Sequence, residues 1–231
     1  MKILLCATIA MVAFAAFFVA PTLASASPEL TSPTGTRASV GTLFTATNVA
    51  HANTPSTFRT TLSTGTMECA TATFTGEVIE NSGTNLVGTI STFELKGTPG
   101  TPNASHCASP LGATTITPNH ASNPTHNGVA SLPWCIKFSA EDIFTIYGCT
   151  NGQARPITIV YHASIGACTY EKASIFGTYT THPADAVLTI AEQQFTKVTG
   201  SAFCPSTFKI DMALTLTKDV SGAESEAVYI K

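Results

Sequence analysis

The chain reads as an all-β protein, an antiparallel β-sandwich or flattened barrel stapled by disulfides and carrying one long irregular loop. Three observations lead there. Apolar and polar residues alternate with period 2, most clearly where Phe208, Ile210, Met212, Leu214 and Leu216 interleave with Lys209, Asp211, Ala213 and Thr215. Such a strand has one buried and one wet face. No 12-residue window beyond the N-terminal segment carries a 3.6 period. The crossover helices that parallel strands require are therefore missing. Threonine makes up about one residue in six, and only 11% of residues are charged. Threonine is β-branched and polar, so it fills the wet face of a strand in place of Lys and Glu.

The N-terminal 26 residues have the pattern of a secretory signal. Met1-Lys2 is a short positive start, Ile3 to Ala20 is an uncharged apolar run, and Pro21 breaks it. Leu23-Ala24-Ser25-Ala26 then offers small residues for a cut after Ala26. The expected mature chain of about 205 residues is long enough for a sizeable core. No later run is long and apolar enough to span a bilayer. Losing Lys2 leaves 10 basic and 14 acidic residues, a formal charge of -4. With no basic stripe, nucleic acid is not the expected partner.

Residues 27–39 are rich in Ser, Thr and Pro and read as a flexible linker or loosely held arm. A single all-β domain is expected over 40–231. Its strands are read at 40–47, 57–62, 68–79 and 86–96, the last two joined by the turn cluster Asn81-Ser82-Gly83-Thr84-Asn85. The segment 97–131, full of Gly, Pro, Asn, His and Ser, is the long irregular loop, with only 114–117 extended. Strands resume at 134–139, 143–147, 156–163, 167–171, 174–180, 186–191, 195–199, 208–217 and 227–230. So many strands exceed one immunoglobulin-sized unit. One larger sandwich or barrel is the preferred arrangement, with two modules divided at 97–131 as the alternative.

Beyond the signal there are six cysteines, Cys69, Cys107, Cys135, Cys149, Cys168 and Cys204. An even number in an exported chain points to three disulfides. No CxxC pair is present, which disfavours zinc, iron–sulfur and thioredoxin-like sites. The expected pairs are Cys69–Cys107, Cys135–Cys149 and Cys168–Cys204. Cys135 and Cys149 stand equally far from Asp142, the expected hairpin turn, and so should face each other. Cys69 and Cys107 bracket the two-strand unit centred near Asn85, and the last two cysteines pair by what remains.

Residues that carry chemistry elsewhere are present here without a motif. His106, His120 and His126 share one loop, but their spacings match no metal signature. His51, His162 and His182 are scattered. Ser131 and Ser164 lack the Gly-x-Ser-x-Gly elbow of a hydrolase nucleophile. Glu68, Glu77, Glu80, Glu94, Glu141 and Asp142 supply carboxylates for a glycosidase-like pair, with Glu141-Asp142 read as a solvated turn. No phosphate loop, HExxH or EF-hand occurs, so no cofactor is implied. Trp134, Phe138, Tyr147, Tyr161 and Tyr179 are the candidates for an aromatic sugar platform, although Trp134 alternates in phase with Ile136 and Phe138 as a core residue does.

Three short elements carry a resemblance: Cys69 with the strand Ala72 to Gly76 and Asn81-Ser82-Gly83, then Gly166-Ala167-Cys168-Thr169-Tyr170, then Cys204-Pro205 before the strand 208–217. In these the chain resembles uncharacterised, threonine-rich, secreted all-β proteins of actinobacteria. The resemblance implies a signal peptide and a β body, and implies no activity, ligand or catalytic residue. The expected function is that of a secreted, non-catalytic β protein, either structural or binding a cell-wall glycan, an envelope component or a surface protein. A secreted hydrolase of unfamiliar type and a metal-binding exported protein are the alternatives.

Overall fold

Two strands of 14 residues each, β13 (Val187–Gly200) and β14 (Thr207–Val220), run antiparallel through the whole molecule and organise everything else. The computed structural model describes residues 27–48, 58–62, 65–97, 107, 115–117, 132–149, 156–180, 185–220 and 224–231. These form strands and no helix.

One half of the long pair belongs to a closed, eight-stranded antiparallel barrel. Its other members are β2 (Leu43–Asn48), β5 (Thr71–Asn81), β6 (Leu86–Lys96), β8 (Trp134–Phe138), β9 (Ile143–Gly148) and β12 (Ser174–Tyr179). The circuit runs β14–β2–β5–β6–β8–β9–β12–β13 and closes from β13 back to β14. The other half of the pair extends beyond the barrel and gathers a second sheet. There β3 (Phe58–Leu62) and β4 (Gly65–Cys69) add to β14, while β11 (Gly166–Lys172), β10 (Ile157–Ala163) and β7 (Thr115–Thr117) add to β13. At the far end β15 (Glu224–Ala227) pairs with β14, and β1 (Leu30–Thr31) pairs with β16 (Tyr229–Ile230).

The sheet forks on both sides of the long pair, each time at a break in a neighbouring strand. On one side β11 and β12 follow β13 in one register, Tyr170 opposite Lys197 and Tyr179 opposite Leu188, but bend apart at Ala173. There β13 carries a bulge: Ala191 and Glu192 together face Asp211, with Glu192 at φ 47°. The Asp211 carboxylate accepts the Glu192 amide at 2.6 Å, pairing a donor the bulge takes out of the ladder. On the other side the expected strand 68–79 is two strands, β4 and β5, broken at Ala70. The Asn48 side-chain amide donates to the Ala70 carbonyl at 2.8 Å and accepts the Ala72 amide at 3.1 Å. Asn48 thus supplies, across the break, the hydrogen bonds a strand residue would make.

Side chains fill the barrel. Phe44, Val78, Leu86, Ile90, Ile136, Phe144, Ile146, Leu188, Leu214 and Leu216 are buried inside it, and two residual voids of about 10 Å³ each hold at most a single water. Large rings fit because glycines face them. A Cβ on Gly177 would lie 2.3 Å from the Phe144 ring, and one on Gly76 would lie 2.8 Å from that of Phe44. Trp134 meets Phe74 edge-on and Phe93 at a tilt, at centroid distances of 6.3 and 5.6 Å. In the second sheet Phe208 stacks on Tyr170 and meets Phe195 edge-on. All of these buried side chains belong to one continuous cluster.

Several expectations need correction. Residues 27–39 are not a loose arm. β1 pairs with the C-terminal β16, Leu30 is 2% exposed, and the buried Asn81 amide donates to the carbonyls of Leu30 and Ala38, each at 2.9 Å. Composition hid this because the contacts that hold the segment come from residues about 50 and 200 positions away. The expected strands 186–191 and 195–199 are one strand, since the bulge interrupts the alternation without ending the ladder. Cys135 does not face Cys149: it faces Tyr147, because the hairpin is centred one residue earlier than Asp142. The bridge between them runs diagonally, with Cα atoms 5.5 Å apart, within bonding range. Of the loop 97–131, only Gly97, Cys107 and β7 lie within the described residues.

Candidate functional site

A polar groove of about 410 Å³ opens at the end of the barrel where β14 finishes. One wall is the turn after β1, with Ser32, Thr34, Thr36, Arg37, Ser39 and Thr42; the other is Lys218, Glu226 and Val228 from β14 and the C-terminal strands. Local sequence shapes the first wall. Gly35, at φ 83°, closes a tight turn in which the Gly35 amide donates to the Ser32 carbonyl and the Ser32 amide to the Thr36 carbonyl. This turn places three hydroxyls side by side: Ser32 lies 2.8 Å from Thr34, and Thr34 lies 3.3 Å from Thr36. Ser39 and Thr42 form a second hydroxyl pair at 3.3 Å.

The charged groups of the groove are already paired. The Arg37 guanidinium donates to the Glu29 carboxylate. That hydrogen bond holds the Glu29 carboxyl below its usual range and raises Arg37 above its own. Lys218 sits 3.6 Å from Glu226 across the β14–β15 ladder. The groove is therefore a field of hydroxyl donors and acceptors bordered by two ion pairs. Such a surface hydrogen-bonds to other hydroxyl-rich or polar molecules.

Outside the groove, the expected site residues have structural places. The cysteines form Cys69–Cys107, Cys135–Cys149 and Cys168–Cys204. Trp134, Phe138, Tyr161 and Tyr179 are buried, and Tyr147 alone of the candidate platform is half-exposed. The Tyr179 hydroxyl donates to the Ser139 carbonyl, and burial, with Asp142 nearby, pushes its pKa to about 12. The Tyr170 hydroxyl donates to the Pro205 carbonyl, and burial beside Tyr161 raises it to about 12 as well. Glu77, Glu94, Glu141 and Asp142 are exposed; Glu94 pairs with Lys96 at 2.7 Å, and Glu80 accepts from Ser82 and Asn85. Glu68 is half-buried on β4. His162 is exposed on β10, and Ser164 lies in the turn after it. His51, His106, His120, His126, His182 and Ser131 lie outside the described residues. Among the described residues no group of three His, Cys, Asp or Glu is placed to hold a metal.

Every groove residue between Ser32 and Ser39 lies in the segment read from composition as a linker. The legible signal was Gly35 between hydroxyl residues, a turn signature that the Pro and Ser content masked.

Comparison with protein-family models, with curated proteins and with solved structures finds no match. Among the described residues no helix is long and apolar enough to cross a membrane. Three disulfides are typical of extracellular proteins.

Proposed function

We propose that this is a secreted, non-catalytic binding protein, released by cleavage after Ala26, that engages a hydroxyl-rich envelope component such as a cell-wall glycan. The observation that carries the reading is the hydroxyl-lined groove, where Ser32, Thr34, Thr36, Ser39 and Thr42 converge on one opening of about 410 Å³. The barrel itself is filled with side chains, so a ligand of that size is taken at the surface and not inside. Resemblance to threonine-rich secreted proteins of actinobacteria supports the export part of this reading and carries nothing about the ligand. A glycan and cell-wall binding screen on residues 27–231 is the test. Binding should be found, and a Thr36→Val, Thr42→Val double variant should lose it while keeping its circular dichroism spectrum. Absence of binding, or binding indifferent to both substitutions, would sink the proposal.

A further inference from the structure

About 11 residues back along β14 from the groove, roughly 36 Å at strand rise, the β13–β14 hairpin ends in a different kind of surface. Phe203 stands at its tip, 78% exposed, the most exposed large apolar residue among those described. Scattered surface apolar residues are ordinary, but this one is held rigidly. Cys204 is bonded to Cys168 on β11, and the Tyr170 hydroxyl donates to the Pro205 carbonyl at 2.9 Å. The Phe203 amide donates to the Ser201 hydroxyl, which itself donates to the Ile165 carbonyl at 3.2 Å. That last bond joins the tip to the neighbouring β10–β11 turn.

The two tips form one uncharged surface. Neither 163–170 nor 198–208 contains an Asp, Glu, Lys or Arg. Val198, 40% exposed, and Ala202 and Ala167, both exposed, accompany Phe203. The first charged residues met going back along β13 and β14 are both lysines, Lys197 and Lys209. The Lys197 ammonium lies directly behind the tip, donating to the Cys204 carbonyl at 3.2 Å and the Ser201 carbonyl at 3.5 Å.

We infer that this double-hairpin tip docks on the surface of a lipid bilayer, with Phe203 entering the headgroup–acyl boundary and the Lys197 ammonium behind it at the depth of the phosphates. The order of groups from the tip inward, phenyl ring, uncharged belt, ammonium, is the order a leaflet presents in reverse. A protein partner fits less well. One phenylalanine supplies on the order of 200 Å², and its small neighbours cannot bring the contact near the roughly 600 Å² per partner of a stable interface. A bilayer needs no complementary pocket. The bracing of the backbone means that the tip loses little backbone entropy when the ring inserts.

The test uses residues 27–231 with vesicles of phosphatidylcholine, with and without phosphatidylglycerol. A Phe203→Trp variant should shift its emission to the blue on vesicles and be quenched by brominated lipid, more strongly with phosphatidylglycerol present. The wild type, whose Trp134 is buried, should show neither change. Phe203→Ser should lower vesicle co-sedimentation about tenfold or more, from the loss of one buried phenyl group. Phe203 touches solvent over most of its surface, so both variants should fold, which circular dichroism would verify. Unchanged emission on both vesicles, co-sedimentation equal for wild type and Phe203→Ser, or a blue shift without lipid that grows with protein concentration, marking self-association, would each overturn the inference.

Discussion

Thr31 shows how a single buried atom sets the sign of a mutation. Its side chain is 1% exposed and its hydroxyl has no hydrogen-bond partner among the described residues. An unpaired buried hydroxyl carries a desolvation cost that an isosteric methyl does not. Thr31→Val is therefore expected to stabilise the protein by about 1 kcal/mol, read as a higher urea midpoint at unchanged slope. A lower midpoint would show that the hydroxyl is paired. Tyr170 and Tyr179 give a pH dependence of known sign. Their folded pKa values of about 12 lie above the ordinary tyrosine value of 10. Both are neutral in either state below pH 10, so the full stability is present there. Between about pH 10 and 12 the unfolded chain ionises first, and stability is lost. In an alkaline titration followed by phenolate absorbance, Tyr170 and Tyr179 should ionise only as the protein unfolds. Five tyrosines titrating together near pH 10 with the fold intact would contradict this.

Among the elements, the bulge in β13 lets one pair of strands serve both a barrel and a second sheet. It turns the strand where β11 and β12 part company. Glu192 occupies the left-handed position, which glycine takes without cost and a β-branched residue resists. Its ion pair with Lys209, at 3.3 Å, is exposed and contributes little. Glu192→Gly should therefore match or exceed the wild type in thermal stability, and Glu192→Val should lose about 1–2 kcal/mol. Equal tolerance of Gly and Val would mean that the bulge relaxes to a regular strand. Asn48 does the corresponding work on the opposite side, where its amide spans the break between β4 and β5.

Across the whole molecule, the barrel and the second sheet share two strands and one buried cluster, with Trp134, Phe74 and Phe93 packed together within it. Neither part has a core that the other could leave behind. Unfolding is expected to be a single cooperative transition, with Trp134 fluorescence and far-ultraviolet circular dichroism tracing superimposable urea curves. Two separated midpoints would mean that the barrel and the second sheet unfold independently. The ends of the long strands differ in character, hydroxyl-rich at the groove and apolar at Phe203. This places the two proposed surfaces about a strand length apart on one rigid spine.

What the sequence determined by itself was what depends on neighbours along the chain. Alternation in 208–217 and 134–138 marked buried faces, because side-chain direction in a strand repeats every two residues whatever the strand pairs with. Turn residues at 81–85 fixed the β5–β6 hairpin, and the spacing of six cysteines led to the three pairs found. Tertiary structure alone decided how the strands close. Barrel closure rests on β14 meeting β2 while it also meets its hairpin partner β13, and the β14–β2 contact joins segments some 170 residues apart, which no local pattern encodes. It also turned 27–39 from an apparent linker into a strand and one wall of a groove. Leu30 and Ala38 are held by Asn81 and by the C-terminus, and a short polar segment gains its order from such partners and not from its own composition.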